Sequence, residues 1–420
     1  MTGPGSGDEV GLVHGPAADA ALRLAAAELG GDLERSALRS VDHRPGSGAT
    51  AVHDVLVRRP DGSAVPAVLA LTTEVDSLDG ATGTLVLASD DVRLGVWVLP
   101  HDPALPGLVP AMDTGAVADL LSDCGVPTRP QDVTLDLRAY RPRRRAVVEA
   151  RAHGASVFLK VVPPRHARGL HRRHRELTAA GVAAPRSLGT DPRGVVVLER
   201  LGGETWRSTM RQGLPTPDAT ELWATMDRLP GSLLLAPRRP SWCEQSWHHV
   251  ALLGAALPSA ADTVRTVAAE ADVAAEVARL PVVPVHGDLY EAQVMVTRGR
   301  LSGVLDLDTA GPGHRVDDEA CVLAHLALLP LAHPDVTDAC AAELHEHLAV
   351  ATSEPELLWR RTALVLLTLA TGPVRNRRPG WERRTQQWLG LPRVMLQQAH
   401  RRPWTHGPDL LPRLLAAVDD

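Results

Sequence analysis

Short segments in which apolar and polar residues alternate dominate the first half of the chain. Such a period of two is typical of half-buried β-strands, and Gly-, Pro- and Asp-containing turns separate the segments. The pattern predicts a small antiparallel sheet between about residues 36 and 99, with strands at 49–58, 64–72, 83–88 and 92–99. A Pro-rich linker at 100–130 encloses a short helix at 114–121. It precedes a second group of predicted strands at 133–140, 146–151, 156–162 and 194–201.

The second half of the chain carries apolar residues at helical spacing instead. Helices are predicted at 217–228, 242–257, 260–279, 317–329, 335–349, 355–371, 380–389 and 408–418, in addition to 17–29 and 165–180 in the first half. The first 16 residues are rich in Gly and Pro and are predicted to be disordered. The pattern therefore predicts an α+β protein whose strands come first and whose helices come last.

Composition narrows the class of protein. The 420-residue chain has a formal net charge of -6 with both signs interspersed, which argues against a dedicated nucleic-acid binder. Its four cysteines form no Cys-x-x-Cys pair, and neither a signal peptide nor a membrane-spanning run is visible, so a cytoplasmic location is expected. His345, His347 and the pair His248 and His249 are expected to face solvent rather than to bind zinc.

The rare residue types are informative. The chain has no isoleucine, one lysine, one asparagine, one phenylalanine and two tyrosines, as expected of a strongly GC-biased coding sequence. A residue that survives such a bias is a candidate for chemistry that no substitute can perform. The single lysine, Lys160, ends an apolar strand, and a compact ammonium suits a phosphate clamp better than a planar guanidinium does. Tyr290 is another residue of a rare type, being one of the two tyrosines.

One stretch carries most of the candidate chemistry. After the apolar run 283–285 come His286, Gly287 and Asp288, with the side-chain amide of Gln293 five residues later. A further apolar segment leads to Asp306 and Asp308, which are expected on one face of a strand. Phosphoryl transfer needs a carboxylate to orient the attacking hydroxyl, and it needs oxygen ligands for magnesium. Asp288 fits the first role, and Gln293 and Asp306 fit the second. Asp308 could bind a second ion or the substrate.

These motifs resemble the catalytic loop and metal motif of the aminoglycoside phosphotransferase family, which includes choline, homoserine and maltose kinases. The resemblance implies a bilobal protein-kinase-like fold, the cofactors ATP and Mg²⁺, and a small-molecule hydroxyl as acceptor. Asp288 would be catalytic and His286 would support its loop. The family usually has Asn where this chain has Gln293, but Gln offers the same carbonyl oxygen on a longer stem.

The resemblance also assigns the nucleotide-binding residues. Lys160 would neutralise the α- and β-phosphates and pair with Glu176 on the following helix. Backbone groups around Glu199 and Leu201 would bind adenine. The basic turn 141–145 stands where protein kinases have a Gly-rich loop, and it either covers the phosphates or is a solvated turn.

Three domains follow from this assignment: a β-rich cap at 1–132, a kinase-like N-lobe at 133–203 and an α-rich C-lobe at 204–420. The sequence around 38–49 faintly repeats 137–146 but has no lysine, which suggests a cap like that of maltose kinases. Asp317, Asp318 and Glu319 begin a predicted helix, where capping is the favoured role and substrate contact the alternative.

Two other functions remain open at this point. Gln293 and the missing glycines would also suit a pseudokinase or a nucleotide-binding regulatory module. A metal-dependent hydrolase built on His286, Asp288, Asp306 and Asp308 gives Lys160 no role. No membrane or nucleic-acid partner is expected, and the sequence defines neither the acceptor nor the oligomeric state.

Overall fold

The computed structural model describes residues 8–44, 47–78, 83–88, 92–400, 407 and 409–418. The chain divides into two compact units. The first contains Met1–Arg172, Ser187–Arg200 and Arg375–Pro379, and the second contains Arg173–Arg186, Leu201–Val374 and Gly380–Asp420. Among the described residues, none of the helices combines the length and the apolar character needed to cross a membrane.

The first unit begins with two helices packed on an antiparallel five-stranded sheet in the order β1-β2-β3-β5-β4. These elements are α1 (Asp8–Val13), α2 (Pro16–Glu28), β1 (Asp32–Arg44), β2 (Gly48–Arg58), β3 (Ala64–Thr72), β4 (Thr84–Ala88) and β5 (Arg93–Val98). One stripe of α2, which includes Leu22 and Ala25, packs on Val55, Leu69 and Val96 of the sheet.

The prediction of a disordered N-terminus is wrong for part of the segment that the structure describes. Residues Asp8–Val13 form α1, because the apolar Val10 and Val13 are buried against the sheet. Of the turns predicted between the strands, those just before the strand at 49–58 and just before the strand at 92–99 lie partly or wholly outside the described residues.

A second five-stranded sheet follows in the same unit, with the order β6-β7-β8-β10-β9. The elements of this segment are α3 (Leu108–Ala111), α4 (Thr114–Asp123), β6 (Thr134–Arg141), β7 (Arg145–Ala152), β8 (Ala155–Val161), α5 (Pro164–Ala179), β9 (Ser187–Asp191) and β10 (Val195–Glu199). Leu108 and Leu121 of the two short helices pack against Val148, Leu159 and Val197 of the sheet. β9 was not predicted.

The two sheets share their strand order, and they also share a detail of their first hairpin. The pairing register shifts between Leu38 and Ser40 in β1 and between Leu137 and Ala139 in β6. At each shift an arginine binds an acidic side chain of the next strand: Arg39 Nε donates to Asp54 at 3.1 Å, and Arg138 Nε donates to Glu149 at 2.9 Å. The faint sequence repeat thus corresponds to a repeated topology.

The N-terminal sheet has no lysine at the position that corresponds to Lys160, as the sequence predicts. Val147 of β7 pairs with Lys160, and the corresponding residue of β2, Val52, pairs with Ala70. Because Ala70 carries no charge, the N-terminal sheet cannot supply an ammonium at this position.

The second unit is mostly helical and contains two small sheets, ordered β11-β13-β14 and β12-β15. Its elements are β11 (Glu204–Thr205), α6 (Trp206–Arg211), α7 (Ala219–Met226), α8 (Ser246–Ala256), α9 (Ala261–Glu270), α10 (Ala274–Val277), β12 (Val283–Val285), β13 (Val294–Thr297), β14 (Arg300–Val304), β15 (Gly311–Gly313), α11 (Arg315–Ala332), α12 (Thr337–Val350), α13 (Pro355–Leu369), α14 (Thr371–Asn376), α15 (Trp381–His400) and α16 (Leu410–Ala416). α13 packs against α11 and α15.

Two predicted features of this unit are wrong. The helix predicted at 260–279 is divided into α9 and α10. His347 and His249 are buried rather than exposed to solvent. The ring of His347 lies 5.2 Å from that of Trp206, and burial lowers its pKa to about 3. Its neutral imidazole therefore packs as part of the core.

Candidate active site

The loop after β12 is fixed by hydrogen bonds to its backbone. The carboxylate of Asp318, on α11, accepts from the backbone N–H groups of His286 and Gly287, both at 2.8 Å. The Thr309 hydroxyl donates to the His286 carbonyl at 2.9 Å. Gly287 has a φ of +79°, and a Cβ there would lie 3.1 Å from the Thr309 carbonyl oxygen. Glycine therefore suits both the conformation and the space of this turn.

His286 is fully buried, and both of its ring nitrogens contact the backbone. Nε2 lies 2.8 Å from the Leu305 carbonyl oxygen, and Nδ1 lies 3.3 Å from the Asp288 N–H. A carbonyl can only accept and an N–H can only donate, so the ring is the neutral tautomer with its proton on Nε2. Neither nitrogen is available for proton transfer, and His286 is placed to position the loop.

Asp288 extends from this loop toward partial exposure, and an indole holds one of its oxygens. The Trp242 Nε1–H donates to Asp288 Oδ1 at 3.0 Å. Within the part of the chain that the structure describes, Oδ2 accepts no hydrogen bond. The carboxylate therefore has one oxygen held and one available to a hydroxyl, the geometry that a base or orienting group needs.

The hairpin of β13 and β14 brings together the predicted amide and carboxylate. Val294 pairs with Val304, and the Leu305 N–H donates to the Gln293 carbonyl at 2.7 Å. The Gln293 side-chain Nε2 consequently lies 3.4 Å from Asp306 Oδ2, although the two residues are 13 positions apart. The same nitrogen lies 3.1 Å from the Tyr290 hydroxyl oxygen.

This donor set fits a hard cation. One amide oxygen and one carboxylate are the ligands that Mg²⁺ prefers, with phosphate and water oxygens completing its shell. Among the described residues there is no group of three or more His, Cys, Asp or Glu side chains that could hold a metal by themselves. A metal bound here would therefore depend on the nucleotide for several of its ligands.

The strand predicted through Asp306 and Asp308 is wrong. β14 ends at Val304, Asp306 has a left-handed φ of +55°, and Leu307–Thr309 form a 3₁₀ turn. The alternation of a strand does not apply across this turn, so Asp308 does not share a strand face with Asp306. A left-handed Asp is uncommon and costs conformational energy, and such residues cluster at functional sites.

The phosphotransferase enzyme family (APH) is the family whose model matches this chain, over residues 133–344. The chain belongs to this family. The predicted membership is confirmed, as is the α+β fold with an antiparallel sheet ahead of the kinase-like core. No curated protein matches the sequence significantly.

Solved structures of other phosphotransferases are similar at low identity. A choline/ethanolamine kinase family protein from Mesorhizobium loti has 17% identity and a TM-score of 0.46, covering 68% of this chain and 92% of its own. A macrolide 2′-phosphotransferase from Brachybacterium faecium has 17% identity and a TM-score of 0.40, covering 73% and 98%. An aminoglycoside phosphotransferase from Streptomyces rimosus has 18% identity and a TM-score of 0.38, covering 61% and 98%.

The residues that the APH pattern assigns to the nucleotide lie on the expected elements. Lys160 is on β8 between Val147 and Val196 and is 7% exposed. The phosphate contact assigned to Lys160 stays a prediction. Glu176 is on α5, where its Oε2 accepts from the Ser232 hydroxyl at 3.2 Å. The Lys160–Glu176 pair stays a prediction.

Glu199 ends β10, and Leu201 follows two residues later. A Cβ on Gly303 would lie 2.6 Å from a methyl of Leu201, so the missing side chain of Gly303 lets this segment pack against β14. The adenine contact assigned to Glu199 and Leu201 stays a prediction.

Sequence reasoning missed several residues that shape the APH site. It favoured a capping role for Asp317, Asp318 and Glu319. Asp317 and Asp318 do lie in the first turn of α11, but no side chain caps this helix and the three carboxylates bond elsewhere. Asp318 holds the loop that carries Asp288, Asp317 forms a buried ion pair with Arg361, and Glu319 accepts from Thr352.

Burial disfavours the charged form of Asp318, and the pKa of its carboxyl is raised. The indole of Trp242 was also missed, because its position 46 residues before Asp288 carries no sequence signal.

Proposed function

We propose that this chain is an ATP- and Mg²⁺-dependent kinase that transfers the γ-phosphate to a hydroxyl group of a small molecule. The observation that carries the proposal is the meeting of Gln293 and Asp306 beside the fixed loop of Asp288. Burial first, and then the charges of carboxylates that include Asp288 and Asp306, raise the pKa of Tyr290 to about 12, so both acids act on one hydroxyl.

Each of the chain's own groups has a part in the reaction. The Asp288 carboxylate orients the acceptor hydroxyl and receives its proton, while the hydroxyl oxygen forms a bond to the γ-phosphorus. The bond from that phosphorus to the β-phosphate oxygen breaks, and ADP leaves with the electron pair. Gln293 and Asp306 would hold Mg²⁺, which when bound neutralises phosphate charge. Lys160 would bind the α- and β-phosphates, and Asp308 would bind a second ion or the acceptor.

The acceptor class we propose is that of sugars, aminoglycosides and amino alcohols. Release of ADP from ATP, measured against a panel of these compounds, tests the proposal. An accepted compound should raise ADP release well above the rate with water alone, and removal of Mg²⁺ by a chelator should abolish the increase.

A matched pair of variants connects the activity to the site. Asp288→Asn should lower turnover by about a hundredfold or more, the contribution typical of a positioned proton acceptor. Asp335→Asn alters an exposed aspartate whose nearest cation, Arg211, is 3.8 Å away, and it should leave turnover unchanged. Equal turnover in Asp288→Asn and the wild type would contradict the role of Asp288.

Gln293 itself favours a second candidate function, nucleotide binding without catalysis, because it replaces the usual Asn. That function predicts Mg-ATP-dependent thermal stabilisation with no ADP formed against any compound of the panel. A protein that neither binds Mg-ATP nor forms ADP would exclude both functions.

A further inference from the structure

The amide of Gln293 has a defined orientation. An ionised carboxylate can only accept hydrogen bonds, so the Gln293 atom facing Asp306 Oδ2 must be the nitrogen. The other hydrogen of that NH₂ group is directed to the Tyr290 hydroxyl oxygen, 3.1 Å away. In the described part of the chain, Gln293 Oε1 accepts no hydrogen bond. The carbonyl oxygen is therefore the end of the amide left for a cation.

The two contacts of this NH₂ group differ in length and in how a bound cation would affect them. At 3.4 Å the contact to Asp306 is long, and a cation that drew the Asp306 carboxylate toward itself would weaken it further. The contact to Tyr290 is shorter and involves no metal ligand. Tyr290 is thus the partner that keeps the amide from rotating when a cation is bound.

Two neighbours hold the ring of Tyr290, and one of them is fixed by an ion pair. Its ring stacks on the His325 ring, with centroids 4.1 Å apart and planes 17° from parallel. The Arg207 guanidinium lies 5.8 Å from the Tyr290 centroid, and Arg207 Nε donates to the buried Glu291 carboxylate at 2.8 Å. The stacked His325 ring and the ion-paired Arg207 guanidinium fix the position of the phenol.

The backbone explains why a longer amide is needed here. The Gln293 N–H donates to the Tyr290 carbonyl at 2.8 Å, and the Gln293 carbonyl accepts from Leu305. These bonds fix the Gln293 Cα, so the reach of the side chain alone decides which groups the amide contacts. An Asn amide would be shorter by one methylene and would fall short of the Tyr290 hydroxyl.

We propose that Tyr290 is a positioning residue for the metal site: its hydroxyl orients the Gln293 amide so that a glutamine performs the task the family usually gives to an asparagine. This inference rests on the proposed function, because it assumes a cation bound at Gln293 and Asp306. It adds a residue of this chain that the family pattern does not assign.

Calorimetric titration with a non-hydrolysable ATP analogue, in the presence and absence of Mg²⁺, tests the proposal without requiring turnover. Tyr290→Phe keeps the ring and its stacking but removes the hydroxyl. It should lower the Mg²⁺-dependent gain in nucleotide affinity by about tenfold, the effect of one lost hydrogen bond on an oriented group, and should leave affinity without metal unchanged. Thr385→Val, which removes a buried hydroxyl bonded to the Trp381 carbonyl, is the matched control and should change neither affinity.

A double variant separates positioning from a merely structural role. In the Gln293→Asn background the amide no longer reaches residue 290, so Tyr290→Phe should have no further effect on the Mg²⁺-dependent gain. Equal losses in the two backgrounds, or a Tyr290→Phe protein with a wild-type Mg²⁺-dependent gain, would overturn the proposal. A loss of metal-free affinity that matched the loss with Mg²⁺ would also overturn it.

The failure of this inference can be told apart from the failure of the proposed function. A wild-type protein whose nucleotide affinity does not respond to Mg²⁺ would overturn both. A wild-type response that Tyr290→Phe preserves would overturn the role of Tyr290 alone. If Tyr290→Phe does not fold, Gln293→Asn carries the test: a weaker Mg²⁺-dependent gain supports the proposal and an unchanged gain contradicts it.

Discussion

Replacement of Asp318 by Asn should separate the positioning of the catalytic loop from the binding of nucleotide. Asp318 is 1% exposed, and each of its carboxylate oxygens accepts one backbone N–H of the loop at 2.8 Å. Asn keeps the shape and one acceptor oxygen, but it sets an NH₂ group against the second N–H. One hydrogen bond to a charged group is lost, and one backbone donor is left unsatisfied.

The magnitude follows from those two losses. A hydrogen bond to a charged group contributes about 1.5–3 kcal/mol, so the free energy of unfolding should fall by about 2–3 kcal/mol. Release of the loop should displace Asp288, and a displacement of about 1 Å can lower turnover by about a hundredfold. The KM for ATP should change little, because Asp318 contacts none of the residues assigned to the nucleotide.

The assay compares Asp318→Asn with Glu319→Gln. Glu319 lies on the same turn of α11, is 2% exposed, and accepts from the N–H and hydroxyl of Thr352, both at 3.0 Å. Because one oxygen of Glu319 accepts both bonds and the amide oxygen of Gln can replace it, urea unfolding should show a smaller destabilisation in Glu319→Gln. Steady-state kinetics should show the loss of turnover only in Asp318→Asn. Equal turnover in the two variants would refute the role of Asp318 in holding the loop.

Three further predictions follow from individual contacts. Trp242→Phe removes the indole donor to Asp288 and should lower turnover by about tenfold, measured alongside an unchanged circular dichroism spectrum. Gly287→Ala adds a Cβ at a φ of +79°, close to the Thr309 carbonyl, and should lower the free energy of unfolding by about 1–2 kcal/mol in urea titrations. Burial raises the pKa of Glu343 from 4.5 to about 7, so the folded protein retains a proton that the unfolded chain loses in that window, and stability falls as pH rises through it. Glu343→Gln should remove this slope and gain about 3 kcal/mol relative to the wild type between about pH 4 and pH 8 in urea titrations, and parallel pH profiles would contradict the assignment.

Features that depend on neighbouring residues were predictable from the sequence. The strand at 64–72 matches β3 at both ends, because alternating apolar positions and flanking turns define it locally. The spacing of Asp288, Gln293 and Asp306 predicted that these side chains converge, and the structure brings Gln293 and Asp306 together. The rarity of lysine singled out Lys160, which lies buried on β8.

Features that depend on distant pairs were not predictable. Asp318 looks like any acidic residue in the first turn of a helix, and only the folded chain shows that its carboxylate meets the backbone of His286 and Gly287. The left-handed backbone of Asp306 interrupts what the sequence pattern predicts to be a continuous strand, and no glycine at this position indicates the break. His347 has polar neighbours in sequence but packs beside Trp206, 141 positions earlier along the chain.

Phosphorus NMR of a mixture of wild-type protein, Mg-ATP and a hydroxyl acceptor from the panel tests the central claim most directly. We predict a phosphomonoester signal that grows as the ATP γ-phosphate signal declines and the ADP signals appear, with none of this change in Asp288→Asn. A wild-type protein that binds Mg-ATP but yields only inorganic phosphate or no product across the panel, or an Asp288→Asn protein that yields as much ester as the wild type, would contradict the account.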